Sequence, residues 1–261
     1  PRTINHDGIP MYVTPSKPVH DAVVAVPGSK SYTHRVLIAA ALAAGESRIR
    51  NALRSEDTSL TMGALRQMGV AIQDIPEGLA LRGLEGRPQP SAHPIYLGNS
   101  GTSMRLLISI AAAGTGDYLL TGTPRMQERP VQALLDSLGQ LGVTARSVNG
   151  NGCPPIAVTG RAIDGGQVSI DCSVSSQFLS SLLLMAPLSR NGIDIAVSRG
   201  PVSKPYVDLT VDILQRFGVT LSRNGYERFA VPGGQTYRAG TYAVEPDVSN
   251  ASYFWAAGAV S

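Results

Sequence analysis

A short motif occurs three times along the 261-residue chain, at nearly constant intervals. In each copy a Leu lies five residues before a Val, and a Gly directly precedes that Val: "ALRQMGVAI", "SLGQLGVTA" and "ILQRFGVTL". The three valines, Val70, Val143 and Val219, are 73 and 76 residues apart. Because glycine commonly follows the last turn of a helix, each copy predicts a helix that ends at the Gly and leads into a strand.

A second motif precedes each of these helices. It is itself a predicted helix, rich in small and apolar residues, which begins at "SKSYTHRVLIAAAL", "NSGTSMRLLISIAAA" and "SVSSQFLSSLLLMA". Aligning Arg35, Arg105 and Gln177 gives intervals of 70 and 72 residues. Short runs typical of strands lie around the helices: "AVVAV", "YLLTG", "IAVTG", "QVSID" and "DIAVS". We therefore predict an α/β (α+β) fold in which three copies of a strand and helix unit pack together.

The last residues of the chain match the start of a fourth unit. "DVSNASYFWAAGAVS" aligns with "CSVSSQFLSSLLLMA" and places Tyr253 76 residues after Gln177. A single helix cannot bury its apolar face without strands of its own unit. We therefore expect the natural protein to continue beyond Ser261.

Composition limits the classes of function. Hydrophobic residues make up 43% of the chain and charged residues 16%, as in a globular protein. Aromatic residues are only 5%, the net charge is +3, and Lys and Arg form no runs, so we expect no nucleic-acid partner. No apolar run reaches about 18 residues, which predicts no membrane span. Cys153 and Cys172 are too few for a disulfide framework, and without a signal peptide we expect a cytoplasmic protein.

Basic and hydroxyl side chains gather where the predicted helices begin. They are Lys30, Arg35, Arg105, Arg125, Arg129 and Lys204, with Ser173, Ser175, Ser176 and Gln177 at a further start. A cation at a helix N-terminus is unfavourable by about 0.3–1 kcal/mol, and a bound phosphate or carboxylate reverses this sign. Recurrence at equivalent positions therefore favours small-anion sites over solvated side chains. Pro130 and Pro205 fit the first position of a helix. We interpret His34 as a polar packing residue, and Asp57 as a helix cap or the partner of an Arg.

Five separated motifs have an order and spacing that resemble one known family: "PGSKSYTHR", "LGNSGTSMR", "GTPRMQERP", "SVSSQFLSSLLLMAPL" and "SKPYVDLT". The family is 3-phosphoshikimate 1-carboxyvinyltransferase, or EPSP synthase. The resemblance implies an inside-out α/β barrel, with three βαβαββ-like repeats in each of two domains and helices packed inside sheets. It divides the chain into residues 1–25, the opening strand of the other domain; 26–243, the three-repeat substrate-binding domain; and 244–261, the first helix of the second domain.

The resemblance also implies an activity in the shikimate pathway of aromatic amino acid biosynthesis. Members of the family transfer the enolpyruvyl group of phosphoenolpyruvate to the 5-hydroxyl of shikimate 3-phosphate, giving 5-enolpyruvylshikimate 3-phosphate and phosphate. They use neither a metal nor an organic cofactor, and we expect the complete protein to be a monomer. The general base, an Asp, is expected beyond Ser261, in the missing second domain of the same polypeptide.

Substrate contacts are implied residue by residue. Those to shikimate 3-phosphate fall on Ser31, Arg35, Ser175, Ser176 and Ser203, with Tyr206 beside the ring. The phosphoenolpyruvate pocket includes Asn99, Gly101 and Arg125, while Lys30 and Gln177 contact both substrates. Lys30 is the catalytic candidate within the chain, through substrate positioning.

Other functions remain open on sequence grounds. The related transferase that acts on UDP-N-acetylglucosamine typically has Gly-Ala-Lys-Asn in its first motif and a Cys before Arg-Pro. This chain has Gly-Ser-Lys-Ser and no Cys in "GTPRMQERP", which favours shikimate chemistry. A second alternative is a half that binds shikimate 3-phosphate without turnover, and a third is a purely structural role. Leu106 replaces a Pro that many members carry beside the glyphosate pocket, which predicts weakened glyphosate inhibition.

Overall fold

The computed structural model describes residues 2–4, 10–12 and 23–260 of the chain. These residues belong to two compact units. The larger unit runs from Gly28 to Glu245, and the smaller one combines Pro1–Pro27 with Pro246–Ser261. The larger unit contains all three copies of the repeated motif.

Helices and strands alternate along most of the chain. The helices are α1 (Lys30–Leu42), α2 (Glu56–Gln67), α3 (Gly101–Ala113), α4 (Gln132–Gln140), α5 (Gln177–Met185), α6 (Pro205–Arg216) and α7 (Val248–Val260). The strands are β1 (Arg2–Ile4), β2 (Pro10–Tyr12), β3 (Ala43–Ala44), β4 (Glu46–Arg50), β5 (Ala71–Ile75), β6 (Gly78–Arg82), β7 (Ile95–Tyr96), β8 (Gly116–Thr121), β9 (Thr144–Ser147), β10 (Ile156–Gly160), β11 (Gly166–Asp171), β12 (Ile193–Arg199), β13 (Ser222–Asn224), β14 (Arg228–Val231), β15 (Tyr237–Arg238) and β16 (Thr241–Ala243). Short 3-10 helices lie at Met126–Glu128 and Ala186–Leu188.

Three four-stranded sheets share one topology, as the sequence repeats predict. Their strand orders are β16-β4-β6-β5, β7-β8-β10-β9 and β11-β12-β14-β13. In each sheet the first two strands are parallel, and the remaining neighbours are antiparallel. A parallel pair needs a long crossover, which in the second and third units is a helix, α3 or α5.

The first sheet is completed by a strand from the far end of the unit. The sequence predicts a strand at "AVVAV", but no strand forms in the described part of that run, residues 23–26. Val23 there is 99% exposed, so it lacks the packing that stabilises a strand. Instead, β16 pairs in parallel with β4, in the register Thr241 with Arg48 and Ala243 with Arg50. The chain thus closes the larger unit on itself.

Three helices, α1, α3 and α5, form the interior of the larger unit. Burial is continuous from Tyr32 to Leu42, from Leu106 to Ala112 and from Phe178 to Met185. A helix can be buried on every side only if it is apolar nearly all round, which explains the long apolar runs of these motifs. Their side chains join those of the sheets in one hydrophobic core. This arrangement confirms the mixed α/β prediction, although the three sheets in the described ranges stay separate and form no closed barrel.

The smaller unit contains the strands β1 and β2 and the helix α7. The two strands are antiparallel, and Arg2 is opposite Tyr12. The predicted opening strand over 1–25 falls mostly outside the described residues. The helix expected in "DVSNASYFWAAGAVS" is present as α7, and Asp247 Oδ1 accepts from Ser249 N over 2.9 Å at its start. None of the helices in the described ranges combines the length and the apolar character that crossing a bilayer requires.

Candidate active site

The first turns of α1, α2, α3 and α5 meet around a cleft of about 400 Å³. Its lining side chains are polar or charged, apart from one glycine: Lys30, Glu56, Asp57, Asn99, Gly101, Thr102, Arg105, Arg129 and Gln177. Three of these residues are cations and two are carboxylates. Cations and helix starts on one cavity suit the binding of small anions.

The α1 side of the cleft carries an ion pair. Ser29 caps α1, because its hydroxyl accepts from Tyr32 N, and Lys30 is the first residue of the helix. Lys30 Nζ lies 3.1 Å from Asp57 Oδ2, at the start of α2. Both side chains are partly exposed, 49% and 31%, so the pair is accessible to an incoming anion. Asp57 therefore pairs with a Lys rather than with an Arg.

Opposite this pair, α3 and α5 are joined by a hydrogen-bonded triad. Arg105 Nη1 donates to Gln177 Oε1 over 3.0 Å, and Gln177 Nε2 donates to Thr102 Oγ1 over 3.0 Å. Arg105 also donates to Ser175 Oγ over 3.4 Å. Burial lowers the pKa of Arg105, and the nearby Arg129 guanidinium lowers it further. The first residues of two neighbouring interior helices are thus held in fixed positions.

Arg129 holds the turn that leads into α3. Its Nη1 donates to the Asn99 carbonyl oxygen over 3.0 Å. A Cβ atom on Gly101 would lie only 2.5 Å from that same nitrogen, so in this position the guanidinium leaves no room for a larger residue. Ser100, the N-cap of α3, makes no side-chain capping bond. The start of α3 therefore combines an uncapped helix N-terminus with an adjacent guanidinium.

Four of the predicted substrate contacts line the cleft: Lys30, Asn99, Gly101 and Gln177. Ser175 and Ser176 are buried beside it, where Ser175 Oγ accepts from Gln177 N over 3.2 Å. Ser31 is half-buried in the first turn of α1, and its carbonyl oxygen accepts from Arg35 Nη1 over 2.9 Å. None of these three serines lines the cavity.

Arg35 is placed in the protein interior. It is 1% exposed, and its guanidinium also donates to Thr210 Oγ1 over 2.7 Å and to Ser180 Oγ over 3.1 Å. Burial lowers its pKa to about 10, so the side chain stays charged at neutral pH. In this conformation Arg35 ties α1 to α5 and α6.

Three further predicted contacts lie outside the cleft. Arg125 is exposed and pairs with Glu128 over 2.6 Å. Ser203 and Tyr206 flank the start of α6, where Ser203 has a φ of 54° and Tyr206 is 42% exposed. Pro205 is the first residue of α6, as predicted, whereas Pro130 lies before Val131, the N-cap of α4. Leu106, at the glyphosate-linked position, is fully buried in α3.

Sequence reasoning assigned no substrate contact to five of the lining residues: Glu56, Asp57, Thr102, Arg105 and Arg129. The sequence does carry a signal for Arg105 and Arg129, because both belong to the pattern of cations near helix starts. In the sequence, the two carboxylates look like ordinary acidic residues in the first turn of a helix, where a negative charge interacts favourably with the helix dipole. Within the described ranges, no three His, Cys, Asp or Glu side chains are grouped closely enough to hold a metal ion.

Fold and cleft together define an α/β protein of three repeats, in which the starts of interior helices contribute cations to one cleft. The family model of EPSP synthase (3-phosphoshikimate 1-carboxyvinyltransferase) matches residues 13–261. The chain belongs to this family, which confirms the resemblance carried by the five motifs.

Individual relatives agree with this assignment. The chain is 45% identical over 244 residues to a 3-phosphoshikimate 1-carboxyvinyltransferase of Shewanella amazonensis, and 47% identical over 239 residues to that of Methanosphaerula palustris. These alignments cover 92% and 90% of this chain but 57% and 56% of the relatives. A solved EPSP synthase from Acinetobacter baumannii superposes with a TM-score of 0.80 at 29% identity, over 88% of this chain and 51% of that one. The chain thus spans little more than half the length of these relatives.

Proposed function

We propose that this protein takes part in the transfer of the enolpyruvyl group from phosphoenolpyruvate to the 5-hydroxyl of shikimate 3-phosphate. The observation that carries the proposal is the cationic cleft, where Lys30, Arg105 and Arg129 lie beside Gln177. The relatives are named 3-phosphoshikimate 1-carboxyvinyltransferase, which agrees with this reaction, and the proposed products are 5-enolpyruvylshikimate 3-phosphate and phosphate.

The chemistry of the cleft suits these substrates. Both are phosphate esters, and each also carries a carboxylate. A planar guanidinium can bind two oxygens of such a group at once, whereas an ammonium acts as a compact point charge. The proposed contribution of this chain is therefore to position the two anions and to stabilise charge that develops in the transition state.

Residue roles divide by their place in the larger unit. Lys30, Asn99, Gly101 and Gln177 are proposed to contact substrate directly, since they line the cleft. The interior position of Arg35 favours a role in holding α1 in place. Roles in shikimate 3-phosphate binding for Ser31, Arg35, Ser175, Ser176, Ser203 and Tyr206, and in phosphoenolpyruvate binding for Arg125, stay predictions.

A second candidate function is binding without turnover. It is favoured by the length of the chain, which covers 57% of the Shewanella amazonensis relative. The domain limits 1–25, 26–243 and 244–261 stay predictions, as do a second domain that supplies the general base, a monomeric complete protein and a cytoplasmic location.

Calorimetric titration of the 261-residue chain with shikimate 3-phosphate tests the proposal. We expect the unsubstituted chain to bind, and Lys30→Met to weaken binding by about tenfold through loss of one charged contact. The matched control is Arg190→Ala, which removes an exposed cation that pairs with Asp164 away from the cleft. Absence of binding by the unsubstituted chain would refute the proposal. Phosphate release with both substrates then separates a transferase from a binding half, and we expect none from this chain alone.

A further inference from the structure

A buried polar layer lies one helical turn beneath the cleft. His34 follows Lys30 by four residues on α1, and Thr61 follows Asp57 by four residues on α2, so each residue lies on the same helix face as its partner. His34 Nδ1 is 2.8 Å from Thr61 Oγ1, and both residues are fully buried. The contact between His34 and Thr61 therefore joins α1 to α2 one turn deeper than the ion pair between Lys30 and Asp57 does.

The layer continues into the start of α3. Thr61 Oγ1 lies 2.7 Å from Ser103 Oγ, which in turn lies 2.6 Å from Ser100 Oγ. Both serines are fully buried. Ser100 is the N-cap of α3 and separates Asn99 from Gly101, two residues that line the cleft. Three successive short contacts thus connect α1, α2 and α3 directly below the proposed anion site.

The imidazole of His34 is neutral at physiological pH. Burial lowers its pKa to about 4; Asp57 opposes this shift, while Arg35 and Lys30 add to it. His34 Nε2 is buried and has no hydrogen-bond partner in the described part of the chain. A buried N–H without an acceptor is costly, so the proton belongs on Nδ1, where Thr61 Oγ1 accepts it. This tautomer is assigned from the hydrogen-bond pattern.

We propose that His34 is a positioning residue for the cleft: with Thr61 and Ser103 it fixes the spacing of Lys30, Asp57 and the turn at Asn99. This inference rests on the proposed function, because its consequence is the affinity of the cleft for shikimate 3-phosphate. His34 itself contacts no substrate. It acts by holding three helix starts at the separation that lets their charged groups meet one anion.

Two single variants and their combination test the layer by calorimetric titration with shikimate 3-phosphate. His34→Leu removes the donor, and Thr61→Val removes the acceptor at nearly constant volume. We expect each single variant to weaken binding by about tenfold. The double variant should lose no more affinity than either single one, because each of the three proteins lacks the same hydrogen bond between positions 34 and 61. His34→Asn keeps a neutral N–H donor and is expected to stay within about threefold of the unsubstituted chain.

Controls separate positioning from general loss of structure. Ser137→Ala removes a buried hydroxyl that donates to the Ala133 and Ser169 carbonyl oxygens, away from the cleft, and is expected to leave binding unchanged. Imidazole ¹⁵N resonances of the unsubstituted chain provide a readout that needs no variant. They are expected to show protonated Nδ1 and unprotonated Nε2 for His34 from about pH 5.5 to 8.

The outcomes distinguish this inference from the proposed function. If the unsubstituted chain does not bind shikimate 3-phosphate, the proposed function fails and the positioning role fails with it. If it binds, unchanged affinity in folded His34→Leu and Thr61→Val overturns the positioning role alone. An Nε2-protonated imidazole, or a His34→Asn variant no better than His34→Leu, also overturns it.

Discussion

The Gly101 backbone lies directly under the Arg129 guanidinium, so the smallest side chain at position 101 already meets a charged group. That guanidinium also donates to the Asn99 carbonyl oxygen, and it ends a flexible side chain. We therefore expect a methyl group at position 101 to push the guanidinium aside while α3 stays folded. The change would move a cation out of the cleft and free the turn before α3.

Gly101→Ala is accordingly predicted to weaken phosphoenolpyruvate binding by about tenfold, the loss expected for one charge-assisted contact. Arg129→Ala is expected to act similarly, and the double variant to lose no more than either single one. Calorimetric titration measures the three affinities. Gly63→Ala is the matched control, because a Cβ atom there has no neighbour within 4 Å; it should leave binding unchanged and raise stability by about 0.5–1 kcal/mol. Additive losses in the double variant would contradict this mechanism.

Burial of His34 is expected to make the free energy of unfolding depend on pH. Its pKa is about 4 in the folded chain against 6.5 for an ordinary histidine. Between these values the unfolded chain binds the extra proton, so the free energy of unfolding falls as the pH falls. The contribution lost between pH 7 and pH 5 is about 2 kcal/mol.

Urea unfolding at pH 7 and pH 5 measures this dependence. His34→Asn cannot titrate and is expected to lose about 2 kcal/mol less than the unsubstituted chain over this interval. His93→Asn, at an exposed histidine, serves as the control and should keep the full dependence. Equal slopes for the unsubstituted chain and His34→Asn would mean that folding leaves the pKa of His34 unchanged.

At the scale of elements, the pairing of β4 with β16 depends on Asn51, the residue that follows β4. Val244 N donates to the Arg50 carbonyl oxygen over 2.9 Å, and Asn51 Nδ2 then donates to the Val244 carbonyl oxygen over 3.0 Å. Asn51 has a φ of 55°, in the left-handed region that Asn tolerates better than most residues. One residue thus turns the chain and extends the pairing of the two strands.

Two substitutions separate these contributions. Asn51→Ala loses the hydrogen bond and must adopt a strained φ, so we predict a loss of about 2 kcal/mol in the free energy of unfolding. Asn51→Gly loses the hydrogen bond but tolerates the φ, and should cost about 1 kcal/mol. Urea unfolding measures both, with the exposed strand residue Asn224→Ala as a control near zero. An Asn51→Gly variant less stable than Asn51→Ala would show that the left-handed backbone at position 51 does not strain the alanine variant.

On the scale of the whole molecule, sequence reasoning succeeded where the signal is local. The glycines before Val70, Val143 and Val219 mark helix ends, and α5 lies within the predicted helical stretch "SVSSQFLSSLLLMA", because apolar periodicity and turn residues act over a few neighbours. The third strand-like run, "IAVTG", is β10 itself. The nearly constant intervals between the motifs also predict the three similar units.

What the sequence could not predict depends on contacts between distant segments. No strand forms at residues 23–26, whereas β16 pairs with β4, which lies nearly the whole unit away along the chain. The hydrogen bonds of Arg35 to hydroxyls on α5 and α6 likewise join residues that are far apart along the chain. Asp57 joins the cleft only because the packing of α1 on α2 brings it within 3.1 Å of Lys30. None of these distances is encoded in a short sequence pattern.

Ligand binding should be visible as stabilisation of the whole folded chain. A ligand that binds only the folded state at 100 times its dissociation constant adds about 2.7 kcal/mol to the free energy of unfolding. We predict that shikimate 3-phosphate raises the melting temperature of the 261-residue chain, measured by calorimetric or fluorescence melting. Shikimate without the phosphate is the matched ligand control, and Lys30→Met is the matched protein control. Both should give a smaller shift, because each removes a charge from the proposed contact between the phosphate and the cations that line the cleft.

Salt provides the decisive comparison for this last prediction. The cations of the cleft are partly exposed, and the Debye length falls from about 10 Å at 0.1 M salt to about 3 Å at 1 M. The shift caused by shikimate 3-phosphate should therefore shrink as sodium chloride rises, whereas a ligand held by apolar contacts would keep its effect. A shift that is equal for shikimate and its 3-phosphate, and insensitive to salt, would mean that the cationic helix starts do not form the binding site. If the shift requires the phosphate and falls as salt rises, the binding energy comes from the cationic helix starts.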